Sequence, residues 1–140
     1  MKLIHKRAAY LLCGVIASAG MVTAAAGQFA RGYRYQTGQE VYEHICQGCH
    51  MPDAKGAKGA GAYPALAGDA NLAEPLYPAM IVLNGQKAMP SFGDLNDAQV
   101  AEVVNYVRAN FGNKFKGKLT AEQVKALRAQ TAQHSGVVPG

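Results

Sequence analysis

Two cysteines and a histidine stand close together in the stretch "EHICQGCHMPD". Cys46 and Cys49 are three residues apart, and His50 follows the second cysteine directly. On a helix, this spacing places the two thiols about one turn apart with an imidazole beside them. Thiols and imidazoles are the side chains that attach haem, exchange disulfides or bind zinc. The stretch therefore predicts one of these three kinds of chemistry.

Haem attachment gives a task to all three residues. C-x-x-C-H is the attachment signal of c-type haem. Two thiols one turn apart can add to the two vinyl groups on one edge of the porphyrin, and His50 can then bind the iron as the proximal ligand. Gly48 leaves room for the porphyrin to lie close to the backbone. We therefore predict one covalently bound haem c, held by Cys46, Cys49 and His50.

The other two chemistries explain less of the stretch. A C-x-x-C redox pair expects a strand followed by a helix and gives no task to His50, although two cysteines in an oxidising compartment can pair. A zinc site needs a fourth ligand, and only His44 and His134 are left to provide it outside the N-terminal leader. His44 shares the same short helix, and His134 lies in a tail that we expect to be disordered.

Met89 is the candidate for the opposite face of the iron. It follows a glycine-containing loop, precedes Pro90 and stands 39 residues after His50. A thioether is a soft ligand that favours reduced iron, so His/Met ligation raises the reduction potential. Met51 is too close to His50 to reach around the ring, and Met80 is expected to pack in a core. The alternative is that Met89 only fills a gap in its loop.

Residues 1–26 have the pattern of a secretory signal peptide. They open with basic residues, continue with a short apolar run that includes Cys13, and end in small residues with Ala24 and Ala26 in an A-x-A cleavage pattern. The apolar run is shorter than the roughly 20 residues that span a bilayer, so an uncleaved anchor is the lesser alternative. We expect export to the periplasm, cleavage after Ala26 and no membrane span in the remaining chain.

The leader also carries much of the positive charge. The chain has 14 basic and nine acidic residues, and three of the basic ones but none of the acidic ones lie in residues 1–26. The remaining chain is close to neutral. We therefore do not expect it to bind nucleic acid, which requires a basic surface.

Helix signals organise the rest of the chain. We assign residues 27–36 to an N-terminal arm, 37–112 to one domain, and 113–140 to a basic hinge, a short helix and a flexible tail. Capping boxes, in which two side chains satisfy backbone donors reciprocally, mark three helix starts. They are Thr37-x-x-Glu40, Asn96-x-x-Gln99 and Thr120-x-x-Gln123.

Two further patterns complete an all-α prediction. The segment "LYPAMIVL" predicts a helix of two to three turns that ends at Gly85. A stripe of valines at helical spacing follows the second capping box and is closed by Gly112. Its members are Val100, Val103, Val104 and Val107. No alternating strand pattern accompanies these signals.

With these residues in place, the chain resembles the class I cytochromes c, and in particular the small single-haem type that serves dehydrogenases. The resemblance covers Thr37 to Gly112 and is carried by "CQGCH", "YPALAG", "NGQKAMPSF" and "LNDAQVAEVVNYVRANFG". It implies a small cytochrome c fold, with three to four core helices around one haem and a short C-terminal extension helix. It also implies that Gly38 meets Tyr106 where two helices cross. The carbonyl of Pro64, which could otherwise be a plain turn proline, would accept the His50 N–H.

The resemblance further implies an electron-transfer protein that is not an enzyme on its own. The donor would be a periplasmic dehydrogenase with a flavin, quinone or molybdenum cofactor, and the acceptor a terminal oxidase or another cytochrome. Two other functions stay open: a tightly bound cytochrome subunit of a dehydrogenase complex, and a haem enzyme or gas sensor in which Met89 is displaced readily.

Overall fold

The computed structural model describes residues 33–59 and 61–135. Its helices are α1 (Gly38–Val41), α2 (Gln47–His50), α3 (Leu76–Asn84), α4 (Asp97–Ala109) and α5 (Ala121–Ser135), and its strands are β1 (Ala57–Lys58) and β2 (Ala62–Tyr63). A π-helical turn, Tyr42–Cys46, joins α1 to α2, and a 3₁₀ turn, Ala70–Ala73, precedes α3. The predicted helical fold is confirmed. The predicted signal peptide, most of the predicted arm and the end of the predicted tail lie outside the described residues.

The small hairpin is the one departure from the all-α prediction. β1 and β2 pair antiparallel, with Ala57 opposite Tyr63 and Lys58 opposite Ala62. Strands of two residues carry too few positions to show an alternating pattern in the sequence. The hairpin is therefore a local turn structure within the long loop that follows the C-x-x-C-H stretch.

The first helical stretch runs without a break from residue 38 to residue 50. At its start, the Thr37 hydroxyl accepts the N–H of Glu40 at 3.2 Å and the Glu40 carboxylate accepts the N–H of Thr37 at 3.0 Å, as the capping box predicts. The π-helical turn in the middle widens the helix just before the second cysteine. Such turns are rare and concentrate at functional sites. The stretch ends at Met51, whose φ of 67° breaks the helix.

α4 forms the centre of the core. Its predicted capping box is present, with both Asn96–Gln99 hydrogen bonds at 2.9 Å, and the four valines of the stripe are buried. The helix ends at Ala109, three residues before the predicted end at Gly112. Side-chain amides cause this early end, because Asn110 and Asn113 donate to the Tyr106 and Val107 carbonyls of the last turn.

α1 crosses α4 at Gly38, as expected. A Cβ atom on Gly38 would lie 2.8 Å from Cβ of Tyr106 and 2.6 Å from the carbonyl carbon of Glu102. Only glycine allows the two backbones to approach this closely. The ring of Tyr106 also packs against Tyr42 and Phe111, with ring centroids 5.8 and 5.6 Å away. The start and the end of the domain are therefore joined at this crossing.

The C-terminal extension lies against the domain. Its capping box at Thr120 is present, and Leu119 and Val124 are buried in the common core. α5 spans 15 residues and is longer than the short helix expected from the sequence. The residues after Ser135 lie outside the described part of the chain. Leu119 is held by two hydrogen bonds of 2.9 Å to the side-chain amide of Asn105. Within residues 33–59 and 61–135, no helix is long and apolar enough to cross a bilayer.

Candidate haem site

The C-x-x-C-H residues occupy the last turns of the first helical stretch. Cys46 ends the π-helical turn and is half-buried, whereas Cys49 in α2 is exposed. Both are free thiols in the described structure. Burial raises the pKa of the Cys46 thiol to about 12, and the nearby Cys49 adds to the rise. A thiol with such a pKa stays protonated, whereas a disulfide-exchange pair needs a reactive thiolate. Cys46 is therefore unlike the reactive thiolate that the redox-pair alternative requires.

His50 is buried, and one of its ring nitrogens has a fixed partner. Its side chain is 8% exposed, and Nδ1 lies 3.0 Å from the carbonyl oxygen of Pro64. A carbonyl can only accept, so Nδ1 carries the proton and donates it. Nε2 is then the unprotonated nitrogen and is free to bind a metal ion. A backbone acceptor behind a ligating histidine fixes its ring and makes it more basic.

Gly56 brings the Pro64 carbonyl to His50. The hairpin turns the chain back so that Pro64 follows β2, while Gly56 directly precedes β1. Gly56 has a φ of 69°, and a Cβ atom there would lie 2.8 Å from the Pro64 oxygen. Its backbone N–H also donates to the carbonyl of His50 at 3.1 Å. Sequence reasoning missed this residue, since one glycine among several in a loop carries no signal of its own.

Met89 closes a tight turn directly after α3. Gln86 and Met89 exchange two backbone hydrogen bonds of 3.0 and 2.9 Å, and Lys87 between them has a φ of 53°. Gly85 starts the turn with a φ of 74°, and a Cβ atom there would lie 2.6 Å from the Met89 oxygen. The Met89 side chain is half-buried. The closed turn fixes the backbone from which the Met89 thioether extends.

Met80 does not pack in the core, contrary to the prediction. Its side chain is 37% exposed, whereas Ala79 and Leu83 of the same helix are buried. The apolar segment of α3 was expected to bury its methionine, but the helix turns Ala79 and Leu83 inward instead. Met80 is therefore a suitable control for substitutions of Met89. It lies on α3, and Met89 lies in the turn directly after that helix.

These side chains match what a c-type haem needs. They comprise two thiols three residues apart, an imidazole with Nε2 free, and a thioether on a separate loop. The zinc alternative lacks support, because nowhere in the described ranges do three His, Cys, Asp or Glu side chains gather as ligands for an ion. The residues present therefore fit haem.

A helical fold around a C-x-x-C-H stretch defines a small c-type cytochrome domain. The family model described as "Cytochrome C oxidase, cbb3-type, subunit III" matches residues 34–107. The chain belongs to this cytochrome c family, and its cofactor is a covalently bound haem c. The resemblance noted from the sequence is thereby confirmed, while the family match itself says nothing of which complex the chain serves.

Known relatives fall into two kinds. The gluconate 2-dehydrogenase cytochrome c subunit of Pantoea cypripedii is 37% identical over 123 residues, covering 76% of this chain and 27% of the relative. The fructose dehydrogenase cytochrome subunit of Gluconobacter japonicus is 33% identical over 109 residues, covering 66% of this chain and 22% of the relative. Cytochrome c-552 of Thermus thermophilus is 33% identical over 116 residues, covering 66% of this chain and 85% of the relative. The chain thus spans about a quarter of the two dehydrogenase subunits.

Proposed function

We propose that this protein is a single-haem electron carrier in which His50 and Met89 bind the iron from opposite faces. The observation that carries the proposal is the hydrogen bond from His50 Nδ1 to the Pro64 carbonyl at 3.0 Å. It leaves Nε2 as the coordinating atom on a helix whose two cysteines attach the macrocycle.

The residues have separate tasks in this proposal. Bound haem c supplies one-electron chemistry by cycling between ferrous and ferric iron. Cys46 and Cys49 hold the macrocycle on the helix through thioether bonds, and the Pro64 carbonyl orients His50 and strengthens it as a donor. Met89 provides a soft ligand that favours the ferrous state and raises the potential. With both axial positions filled, oxygen and peroxide find no open site, so we propose a carrier that is not an enzyme on its own.

The partners and the compartment follow from the relatives and the leader. Two of the relatives are cytochrome subunits of dehydrogenases, which supports an electron donor of that class with a flavin, quinone or molybdenum cofactor. The acceptor we propose is a terminal oxidase or another cytochrome. The signal-peptide pattern of residues 1–26 supports a periplasmic location.

The visible spectrum of the exported holoprotein tests the proposal. Oxidised, it should show a low-spin haem with the weak long-wavelength band of a sulfur–iron bond. Reduced, it should keep its spectrum when carbon monoxide is added, because Met89 occupies the sixth position. A high-spin spectrum or rapid binding of carbon monoxide would instead support a haem enzyme or gas sensor.

A fixed subunit of a dehydrogenase is the second candidate. The dehydrogenase subunits among the relatives support it, since the similarity lies within parts of much longer chains. Mild purification from the native host distinguishes the two cases. A subunit would leave the column in constant stoichiometry with a dehydrogenase at every salt concentration, whereas a carrier would separate from its partner. A small interface that dissociates in salt is typical of transient electron-transfer pairs.

A further inference from the structure

One side chain of α5 binds the loop that follows Met89. The guanidinium of Arg128 donates three hydrogen bonds: Nε to the Asp97 carboxylate at 2.9 Å, Nη1 to the Gly93 carbonyl at 2.8 Å and Nη2 to the Leu95 carbonyl at 2.8 Å. The planar fork of arginine suits such a set of acceptors. The Arg128 side chain is 35% exposed, so its contacts are shielded in part from water.

The loop bound in this way continues directly into the Met89 turn. The Gly93 N–H donates to the Ser91 hydroxyl at 3.1 Å, and that hydroxyl donates to the Leu83 carbonyl at 2.5 Å. Two residues further back, Met89 closes its own turn with Gln86. A short path of hydrogen bonds therefore connects α5, the loop and the end of α3, and the backbone joins Ser91 to Met89 through Pro90.

The residues beyond the family match contribute this connection. The family model ends at residue 107, whereas Arg128 lies on the extension helix. Any external ligand that replaces a methionine on iron must move the loop that carries the methionine. Hydrogen bonds to the far end of the loop resist this movement. Here Arg128 of α5 donates them.

We propose that Arg128 is a positioning residue that holds the Met89 loop and so determines how readily an external ligand displaces the thioether from the haem iron. The proposal rests on Met89 being the iron ligand, as proposed above. Arg128 touches neither haem nor ligand, and its effect passes through Gly93 and Ser91. The extension helix thereby acquires a task beyond filling the core.

Imidazole titration of the oxidised holoprotein tests the proposal, with the sulfur–iron band as the readout. Arg128→Lys keeps the charge and the helix propensity but cannot serve three acceptors in one plane. The imidazole concentration for half-displacement should fall about tenfold, the change that about 1.4 kcal/mol of lost loop restraint produces. Thr120→Ala is the matched control, since it removes the cap of the same helix and leaves Arg128 in place. Its half-displacement point should stay within about twofold of the unsubstituted protein.

The outcomes separate this proposal from the one on which it rests. A shift in Arg128→Lys that exceeds the shift in Thr120→Ala supports it. Equal shifts in the two variants, or none in Arg128→Lys, would overturn it and leave Arg128 as a general stabiliser of α5. If the unsubstituted holoprotein lacks the sulfur–iron band, Met89 does not bind the iron, and the proposed function is contradicted at that point. Should Arg128→Lys not yield holoprotein, Asp97→Asn weakens one of the three bonds and should shift the titration in the same direction.

Discussion

At the level of single residues, the environment of each side chain decides its chemistry. His50 has two ring nitrogens, and the Pro64 carbonyl at 3.0 Å selects which one stays free. Cys46 and Cys49 differ in exposure although they are three residues apart. The sequence singled out these groups from their type and spacing. Their ligand roles stay a proposal that spectroscopy of the holoprotein has to test.

Replacing the two methionines near α3 tests the ligand assignment. Met89→Leu should remove the sulfur–iron band, lower the reduction potential and allow carbon monoxide to bind, because leucine keeps the size but has no donor atom. Met80→Leu is the matched control and should keep all three properties, since Met80 lies on an exposed face of α3. Absorption spectra and a redox titration of both variants give the answer. Loss of the band in Met80→Leu would reverse the assignment.

Tyr42 gives the domain a defined response to alkaline pH. Burial raises its pKa to about 12, with smaller contributions from Cys46 and Tyr106, and its hydroxyl donates to the Met51 carbonyl at 2.7 Å. An unfolded tyrosine ionises near about pH 10. Between about pH 10 and 12, the unfolded state therefore loses a proton that the folded state keeps. The stability contributed by Tyr42 is complete below that window and is lost as the pH rises through it.

We expect the free energy of unfolding to fall by about 1–3 kcal/mol across this window in the unsubstituted holoprotein. Tyr42→Phe should reduce this pH dependence, although it also lowers stability at neutral pH by about 1 kcal/mol through the lost hydrogen bond. Urea unfolding at a series of alkaline pH values measures both effects. Tyr77→Phe, at an exposed tyrosine, should keep the slope. If the free energy of unfolding of Tyr42→Phe fell with pH as steeply as that of the unsubstituted protein, other groups would be the cause of the pH dependence.

At the level of elements, close contact between helices holds the domain together. The α1–α4 crossing depends on Gly38, and the first helical stretch contains a π-helical turn that ends at its first cysteine, Cys46. The sequence predicted the helices and their capping boxes, because a capping box joins residues only three positions apart. It did not predict the π-helical turn, whose first residue, Tyr42, packs its ring against Tyr106 and Phe111.

Gly38→Ala measures the importance of the crossing. The added Cβ would meet the Glu102 carbonyl and Tyr106, so the two helices would have to separate. We expect a loss of about 2–3 kcal/mol in the free energy of unfolding, as in other overpacked cores. Urea denaturation of the holoprotein is the measurement. Gly59→Ala is the control, because a Cβ atom there has no neighbour within 4 Å. Similar losses of unfolding free energy in both variants would mean that the close approach of α1 and α4 at Gly38 is not the cause of the destabilisation.

At the level of the whole molecule, buried polar side chains join segments that are distant in the chain. Arg108 is 2% exposed, and its guanidinium donates to the carbonyls of four residues on two segments. One segment is the 3₁₀ turn before α3, and the other is the basic hinge before α5. The sequence marked the hinge only by its lysines. Its backbone is instead fixed by an arginine of α4.

Arg108→Met should be among the most destabilising single changes. It fills similar space but leaves the carbonyls of Leu72, Ala73, Lys116 and Gly117 without their shared donor. Since unsatisfied buried groups cost about 1–3 kcal/mol each, we expect a loss of about 3 kcal/mol or more, measured by urea denaturation. Arg34→Met, at an exposed position, should change stability by less than about 0.5 kcal/mol. A loss below about 1 kcal/mol for Arg108→Met would show that water replaces the guanidinium.

The sequence by itself determined the features that depend on near neighbours. The C-x-x-C-H stretch, the three capping boxes and the valine stripe of α4 each lie within a few residues, so their chemistry is visible as a spacing. The capping boxes and the burial of the valines are confirmed in the structure. The haem c cofactor follows from the same short stretch and is supported by the family match.

The tertiary structure alone decided the length of α5, the exposure of Met80 and the task of Gly56. Each depends on groups from another part of the chain: Arg128 reaches 35 residues back to Gly93, and Asn113 reaches 47 residues back to Leu66. Such contacts follow no period and involve ordinary residue types. They arise only when the chain has folded and a backbone carbonyl in one segment meets a donor from another.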